Sequence, residues 1–172
     1  LIHGACHCEG ANSMSAQMPQ LAIQLPQSGL FGLCPVTSAV ESLSNAGAEE
    51  RGAIFTRKEV VDFILDLAGY DVCQPLLDKR LLEPSFGNGD FLISAIDRLL
   101  VVWERAGRPS AFQSLAPTIR AIELHRVTFK ETRKKVFSHL VRSGILAAEA
   151  EAILDEWLIY GDFLLAPIEG QF

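Results

Sequence analysis

Three carboxylates in this sequence stand where short apolar runs stop. Glu83 follows Leu81-Leu82, Glu123 follows 119–122, and Asp162 comes just after Leu158-Ile159-Tyr160. Behind the first of them lies Ser85-Phe86-Gly87-Asn88-Gly89, the composition of a tight turn. Ionised carboxylates only accept hydrogen bonds, so a row of them suits a ligand carrying a cation and several hydroxyl or amino donors. A phosphate would want cations or amide donors instead. The glycines matter because a Cβ there would hold a ligand away from the backbone. A dinucleotide loop would place a third glycine where Leu92 stands, and a phosphate loop would follow the glycines with Lys-Ser or Lys-Thr. Neither pattern is met. Singly, Glu123 equally suits a cap for the helix after it, and Asp162 a turn after the third run.

The surrounding pattern says what holds these residues. Thr56-Arg57-Lys58-Glu59 has the form of a capping box. Val60, Val61, Ile64, Leu65 and Ala68 follow at helical spacing, with Gly69 suited to the C-terminal cap. Leu81-Leu82 ending in Glu83-Pro84 reads as a short buried strand. Phe91, Leu92, Ala95, Ile96, Leu99, Leu100 and Trp103 trace a second amphipathic helix, closed by Gly107 and Pro109. A second strand is predicted over 119–124, a third helix from Phe129 to Val141 with Gly144 beyond it, a fourth over 147–157 and a third strand over 158–160. Both tryptophans, Trp103 and Trp157, fall at apolar helical positions and belong to the core. Alternating strands and helices imply right-handed crossovers and a parallel sheet with ligands outside its carboxyl ends.

Composition bounds the rest. The chain has 172 residues, 49% hydrophobic and 21% charged, which suits one soluble globular domain. Its net charge of −6 makes it a poor grip for a phosphate backbone unaided. The segment 126–142 is locally basic, carrying Arg126, Lys130, Arg133, Lys134, Lys135 and Arg142 against Glu131. It reads either as a DNA-facing patch or as a solvated face balanced by the acidic helix that follows. Cys6, Cys8, Cys34 and Cys73 make neither a paired zinc pattern nor a disulfide framework, so a reduced, cytoplasmic protein is expected. His3, Cys6, His7 and Cys8 are too closely spaced to surround one zinc. The apolar stretch 21–40 is broken by Gln24, Pro26, Gln27 and Pro35 and is no membrane span. Residues 1–50, rich in Ser, Ala, Gln and Gly, show no sustained period and read as an N-terminal extension. Within it, 1–13 read as tag or upstream sequence, with Met14 a plausible start.

Glu83-Pro84-Ser85-Phe86-Gly87-Asn88-Gly89-Asp90-Phe91 resembles the cofactor loop of the amino-methyltransferases that modify adenine in DNA. Gly52-Ala53-Ile54-Phe55-Thr56-Arg57-Lys58-Glu59-Val60-Val61 resembles the segment preceding that loop in the class where the cofactor motifs come first. Ile122-Glu123-Leu124 and Gly161-Asp162-Phe163-Leu164 are similar to the next two motifs, in order and rough spacing. The resemblance covers 51–172. It implies an α/β, partial Rossmann-like S-adenosylmethionine-dependent methyltransferase fold, three parallel strands with flanking helices, and S-adenosyl-L-methionine as cofactor.

Position by position, the resemblance implies that Glu83 and Thr56 hold the amino and carboxylate ends of the methionine moiety, with backbone near Ser85 assisting. Gly87 and Gly89 form the loop, and Glu123 beside Leu124 accepts from the ribose hydroxyls. Asp162 accepts from the adenine amino group while Phe163 packs on that base. Arg57 stands where the family usually has proline after the threonine. The family's catalytic Asn-Pro-Pro-Tyr element does not occur in the sequence, so no catalytic residue and no metal ligand are assigned. The resemblance implies a site-specific adenine methyltransferase of a restriction-modification system, inactive in this form, meeting DNA through a C-terminal part outside this chain. That remaining part and a restriction nuclease are the expected partners, and no membrane is involved. A non-catalytic nucleotide-binding or interaction module of the same fold, or a protein or RNA methyltransferase, would share this half.

Overall fold

In the computed structural model the strand Ile119–Glu123 lies in the middle of a parallel sheet and buries all five of its residues. Such a strand is covered on both faces, which is why it reads as a near-continuous apolar run. The described residues are 40–42, 44–45 and 56–166, all within the unit that runs from Leu33 to Phe172. They form, in order, α1 (Lys58–Leu67), a 3-10 turn (Leu76–Asp78), β1 (Leu81–Glu83), α2 (Asp90–Arg105), α3 (Ala111–Leu115), β2 (Ile119–Glu123), α4 (Arg126–Arg142), α5 (Ala147–Trp157) and β3 (Leu158–Tyr160). The sheet order is β1-β2-β3. Leu81 pairs with Ile119 and Glu83 with Ala121; Ala121 pairs with Leu158 and Glu123 with Tyr160. All strands being parallel, their carboxyl ends share one rim, and the α/β expectation of three parallel strands with flanking helices is met.

Arg120 sits in the middle of β2 at 8% exposure. A buried cation is costly unless its donors are used. Its Nη1 donates to the carbonyls of Ala116 and Ile119 at 2.9 and 2.8 Å, and Nη2 meets Glu156 Oε2 at 3.4 Å. Trp157, fully buried in α5, donates from Nε1 to the Leu115 carbonyl at 2.9 Å and so fixes α5 to α3. Trp103 is buried as well, its Nε1 donating to the Pro109 carbonyl. On the other side of the chain, Arg98 of α2 reaches Asp66 Oδ1 at 2.6 Å and the carbonyls of Tyr70 and Asp62 at 2.9 and 3.1 Å. That fork holds α1 against α2.

Three sequence expectations are corrected here. The capping box does not form: α1 begins at Lys58, its cap position is Arg57 with φ −63° and ψ 144°, and no side chain caps it. Thr56 therefore lies one residue too early, and the amides of Val60 and Val61 turn to the Arg57 carbonyl instead. The apolar set of α1 also divides. Val61 and Leu65 are buried, whereas Val60, Phe63, Ile64 and Leu67 are exposed, because only one stripe of the helix meets α2. Third, β1 is an edge strand, and Leu82 is 42% exposed, so it is not the fully buried strand its composition suggests. Residues 40–42 and 44–45 are helical although the sequence shows no period there. Ser44 is buried and its hydroxyl interacts with the phenol of Tyr160, the last residue of β3. The rest of the segment 1–50, with its His3, Cys6, His7 and Cys8 cluster and the start of the domain placed at 51, lies outside the described residues.

Between β1 and α2 the chain turns through Gly87 and Gly89, both in the left-handed region at φ +51° and +88°. The Gly89 amide donates to the Phe86 carbonyl at 2.8 Å, and Thr132 of α4 donates its hydroxyl to the Gly87 carbonyl at 2.8 Å. A Cβ at Gly89 would fall 2.9 Å from Thr132 Cγ2, whereas one at Gly87 would meet nothing within 4 Å. The two glycines are thus separable by experiment. Each alanine substitution carries the left-handed cost of about 1–2 kcal/mol, and Gly89→Ala must push the Thr132 side chain aside in addition. Chemical denaturation is expected to rank Gly89→Ala as clearly more destabilising than Gly87→Ala.

Candidate functional site

Glu123 ends the central strand at 4% exposure. Its Oε2 accepts from the Gly87 amide at 2.9 Å and its Oε1 from the His125 amide at 2.6 Å. Its own carbonyl accepts from the Gly161 amide at 3.1 Å. One residue therefore joins the glycine loop, the start of α4 and the segment leading to Asp162. The capping alternative is not realised: the cap residue of α4 is His125, its Nδ1 accepting from the Thr128 amide at 3.3 Å, and Glu123 accepts from the amide of that cap residue. An ionised carboxylate offers about four lone-pair positions, so two amides leave room for further donors.

Glu83 ends β1 half-buried. Among the described residues it accepts one long contact, from the Ser85 amide at 3.4 Å. Burial pushes its carboxyl above the usual carboxylate range, and the Ser85 amide pulls in the other direction without cancelling the effect. An acceptor this poorly supplied, next to a sharp turn, is chemically matched to a cationic group. Asp162 closes the row beyond β3. Its Oδ1 accepts from the Leu164 amide at 2.9 Å and its carbonyl from Leu165 and Ala166, so the turn alternative is realised. Phe163 opens that turn and is half-buried.

Glu83, Ser85, Gly87, Gly89, Glu123, Leu124, Asp162 and Phe163 all lie at the carboxyl rim, on its strand ends or in the loops that leave them. Hydrogen bonds connect Glu123 to Gly87 and to Gly161, but none joins Thr56 to the glycine loop. Below the rim runs an aromatic row absent from the sequence expectations. Phe86 lies 5.8 Å from Phe129, Phe129 lies 5.6 Å from Tyr160, and the Arg126 guanidinium sits 5.6 Å over the Tyr160 ring. Hydrogen bonding with Ser44 and with Arg126, together with the Arg126 charge, holds the Tyr160 phenol below its ordinary range against the effect of burial. Thr132 and Lys135 were not singled out for the loop either, yet Thr132 bonds the Gly87 carbonyl and Lys135 Nζ comes to 3.5 Å from that of Asn88. For Thr132 the one signal is position, since 132 and 136 recur on the buried face of a basic helix; exposed Lys135 carried none. Among the described residues no group of three or more His, Cys, Asp or Glu is arranged to hold a metal, and no helix is long and apolar enough to cross a membrane.

No family model matches the chain, and no solved structure matches it. Three curated relatives do. The chain is 58% identical over 143 residues to the Type II methyltransferase M.PaeR7I of Pseudomonas aeruginosa, a match covering 81% of the chain and 25% of that protein. It is 44% identical over 126 residues to the Type II methyltransferase M.XhoI of Xanthomonas vasicola, covering 72% of the chain and 23% of the relative. With the Type II methyltransferase M.BstVI of Geobacillus stearothermophilus it shares 38% over 116 residues, or 66% of the chain and 21% of the relative. The chain thus spans about a quarter of the length of these proteins. Identity of that order, sustained over 66–81% of the chain, means that the chain corresponds to a part of a Type II methyltransferase.

Proposed function

We propose that the chain forms the S-adenosylmethionine-binding side of a site-specific DNA methyltransferase acting on the exocyclic amino group of adenine. The observation that carries this reading is the buried Glu123 carboxylate, bonded to the Gly-x-Gly loop at the end of the central strand. The donor set fits the cofactor. Glu83 is a half-buried, under-supplied acceptor for the ammonium group, and the backbone near Ser85, with Thr56, takes the carboxylate end. Glu123, beside Leu124, has acceptor capacity left for the ribose diol, while Asp162 takes the adenine amino group and Phe163 packs on the base. The bare backbone at Gly87 and Gly89 admits the ligand closely. When bound, the cofactor supplies an electrophilic methyl group on a sulfonium centre.

Everything this chain contributes is binding and orientation. Holding a flipped adenine in line with the methyl is left to residues such as the Asn-Pro-Pro-Tyr element, which does not occur in these 172 residues. The three quarters of the relatives that the chain does not span would supply that element and the specific grip on DNA, in a system that pairs the methyltransferase with a restriction nuclease.

Calorimetry with S-adenosylhomocysteine tests the cofactor assignment. Glu123→Ala is expected to weaken binding by about ten- to a hundredfold, the loss of hydrogen bonds to a charged acceptor at roughly 1.5–3 kcal/mol. Equal affinity in the two proteins would remove Glu123 from the site. Glu83 gives a pH test. Its raised folded-state pKa makes its contribution to stability largest at acid pH and lost as pH rises through that value. Ligand affinity runs the opposite way, since only the ionised form holds the ammonium group. Affinity is therefore expected to fall by up to about tenfold per pH unit as pH drops below the raised pKa, and Glu83→Gln to flatten the profile. Methyl transfer from tritiated S-adenosylmethionine to duplex DNA, followed by filter binding, is expected only from a polypeptide containing the missing element. Activity of the 172-residue chain alone would overturn the division of labour.

A further inference from the structure

We infer that the outward face of α4 is a contact surface for the phosphate backbone of duplex DNA, separate from the rim that holds the carboxylates. α4 carries Arg126, Lys130, Arg133, Lys134, Lys135 and Arg142 against Glu131, in a chain whose net charge is −6. The acidic residues of α5 neutralise only Arg133, which meets Glu151 Oε2 at 2.6 Å and Asp155 Oδ1 at 2.8 Å. Lys130 and Lys134 form no ion pair with a described residue. Arg142 bonds only to the Ser138 carbonyl of its own helix, and Lys135 makes only its long contact with Asn88. All four are exposed. Among the described residues the acidic helix beside α4 forms no ion pair with these four cations, which share the solvent-exposed half of α4 with Glu131.

Their spacing is that of a backbone reader. Lys130, Lys134, Ser138 and Arg142 recur every four residues, with Lys135 beside them. Twelve residues of helix rise about 18 Å, the reach of about five phosphates along one strand of duplex. Open grooves flank this row on both sides and share Lys134 and Ser138 as lining. Ser138 adds a neutral donor between the charges, of the kind that commonly bonds phosphate oxygens. The exposed large apolar side chains of α4 are Val127 and Val141, with none of the Trp, Phe or Leu that an interfacial helix buries in a bilayer. Contacts of this kind position a duplex without reading its sequence. The surface stands on its own charges and distances, independently of the cofactor assignment.

Fluorescence anisotropy of a labelled short duplex, titrated with the full chain across a salt series, tests the surface. The variants are a triple Lys130→Glu/Lys134→Glu/Lys135→Glu reversal and its milder Gln counterpart, each checked by circular dichroism for an unchanged fold. As control, Lys58, Arg80 and Arg105 are changed together to Gln. The wild-type chain is expected to bind weakly at low salt. The Gln triple is expected to lose at least tenfold in affinity and about 2.7 units of the salt slope, corresponding to three phosphates; the reversal should bind less still, and the control close to wild type. Failure of the wild-type chain to bind at low salt, wild-type behaviour of the α4 variants, or an equal loss in the control would each overturn the proposal. So would competition by polyglutamate as effective as competition by unlabelled duplex.

Discussion

The Glu123 carboxylate is caught between two backbone amides that come from opposite directions along the chain, one at Gly87 and one at His125. Burying an ionised carboxylate is expensive, and the two amides together with the positive end of α4 offset that cost. The converse also holds. Without the carboxylate, two donors at the rim would lose their charged acceptor, a change worth more than an ordinary surface hydrogen bond. Thr132 completes the clamp by bonding the Gly87 carbonyl. The loop's amide and carbonyl at Gly87 are thus both held by residues far along the chain, on β2 and α4. Those two bonds hold the turn in the left-handed conformation that its glycines adopt at no steric cost.

That division explains what could be read from the residues and what could not. α2, α4 and α5 declare themselves through apolar residues at helical spacing, and the expected fourth helix coincides with Ala147–Trp157. Glu83, Glu123 and Asp162 were visible because each interrupts or follows an apolar run, which is where a strand end must be. α3 and the 3-10 turn were not visible. Five and three residues are too few to show a period, and they are held by Ala111, Leu115 and Leu76 being buried against distant elements. Thr56 misled for a related reason: a capping box is a statement about backbone angles, and Arg57 rather than Thr56 adopts the cap geometry. The aromatic row from Phe86 to Tyr160 joins three separate elements, so no local pattern could announce it.

Charge is used in two ways in this fold. Inside, Arg120 and Glu123 occupy the same short strand on either side of Ala121 and Ile122; Arg120 is engaged by two carbonyls and Glu156, and Glu123 by two amides. Their long-range contacts, Arg120 to Glu156 and Glu123 to the Gly87 amide, help specify the register of β2, because a one-residue slip would carry both side chains away from them. Outside, the ion pairs of Arg98 and Arg133 join α1 to α2 and α4 to α5. Exposed pairs of this kind contribute little energy each, but Arg98, largely buried and bonded to two carbonyls besides, aligns two helices along their length.

The passage from α5 to β3 has no connecting residue: Trp157 is the last of the helix and Leu158 the first of the strand. Screw and ribbon are therefore geared together. Turning α5 by a single residue would swing Trp157 away from the Leu115 carbonyl and at the same time invert which side chains of Leu158, Ile159 and Tyr160 face inward. The chain has no slack there to absorb a changed length. The turn after α2 around Gly107, with exposed residues from Glu104 to Ser110, is its opposite. Variation in length among proteins built on this frame should accumulate at the second place and be excluded from the first.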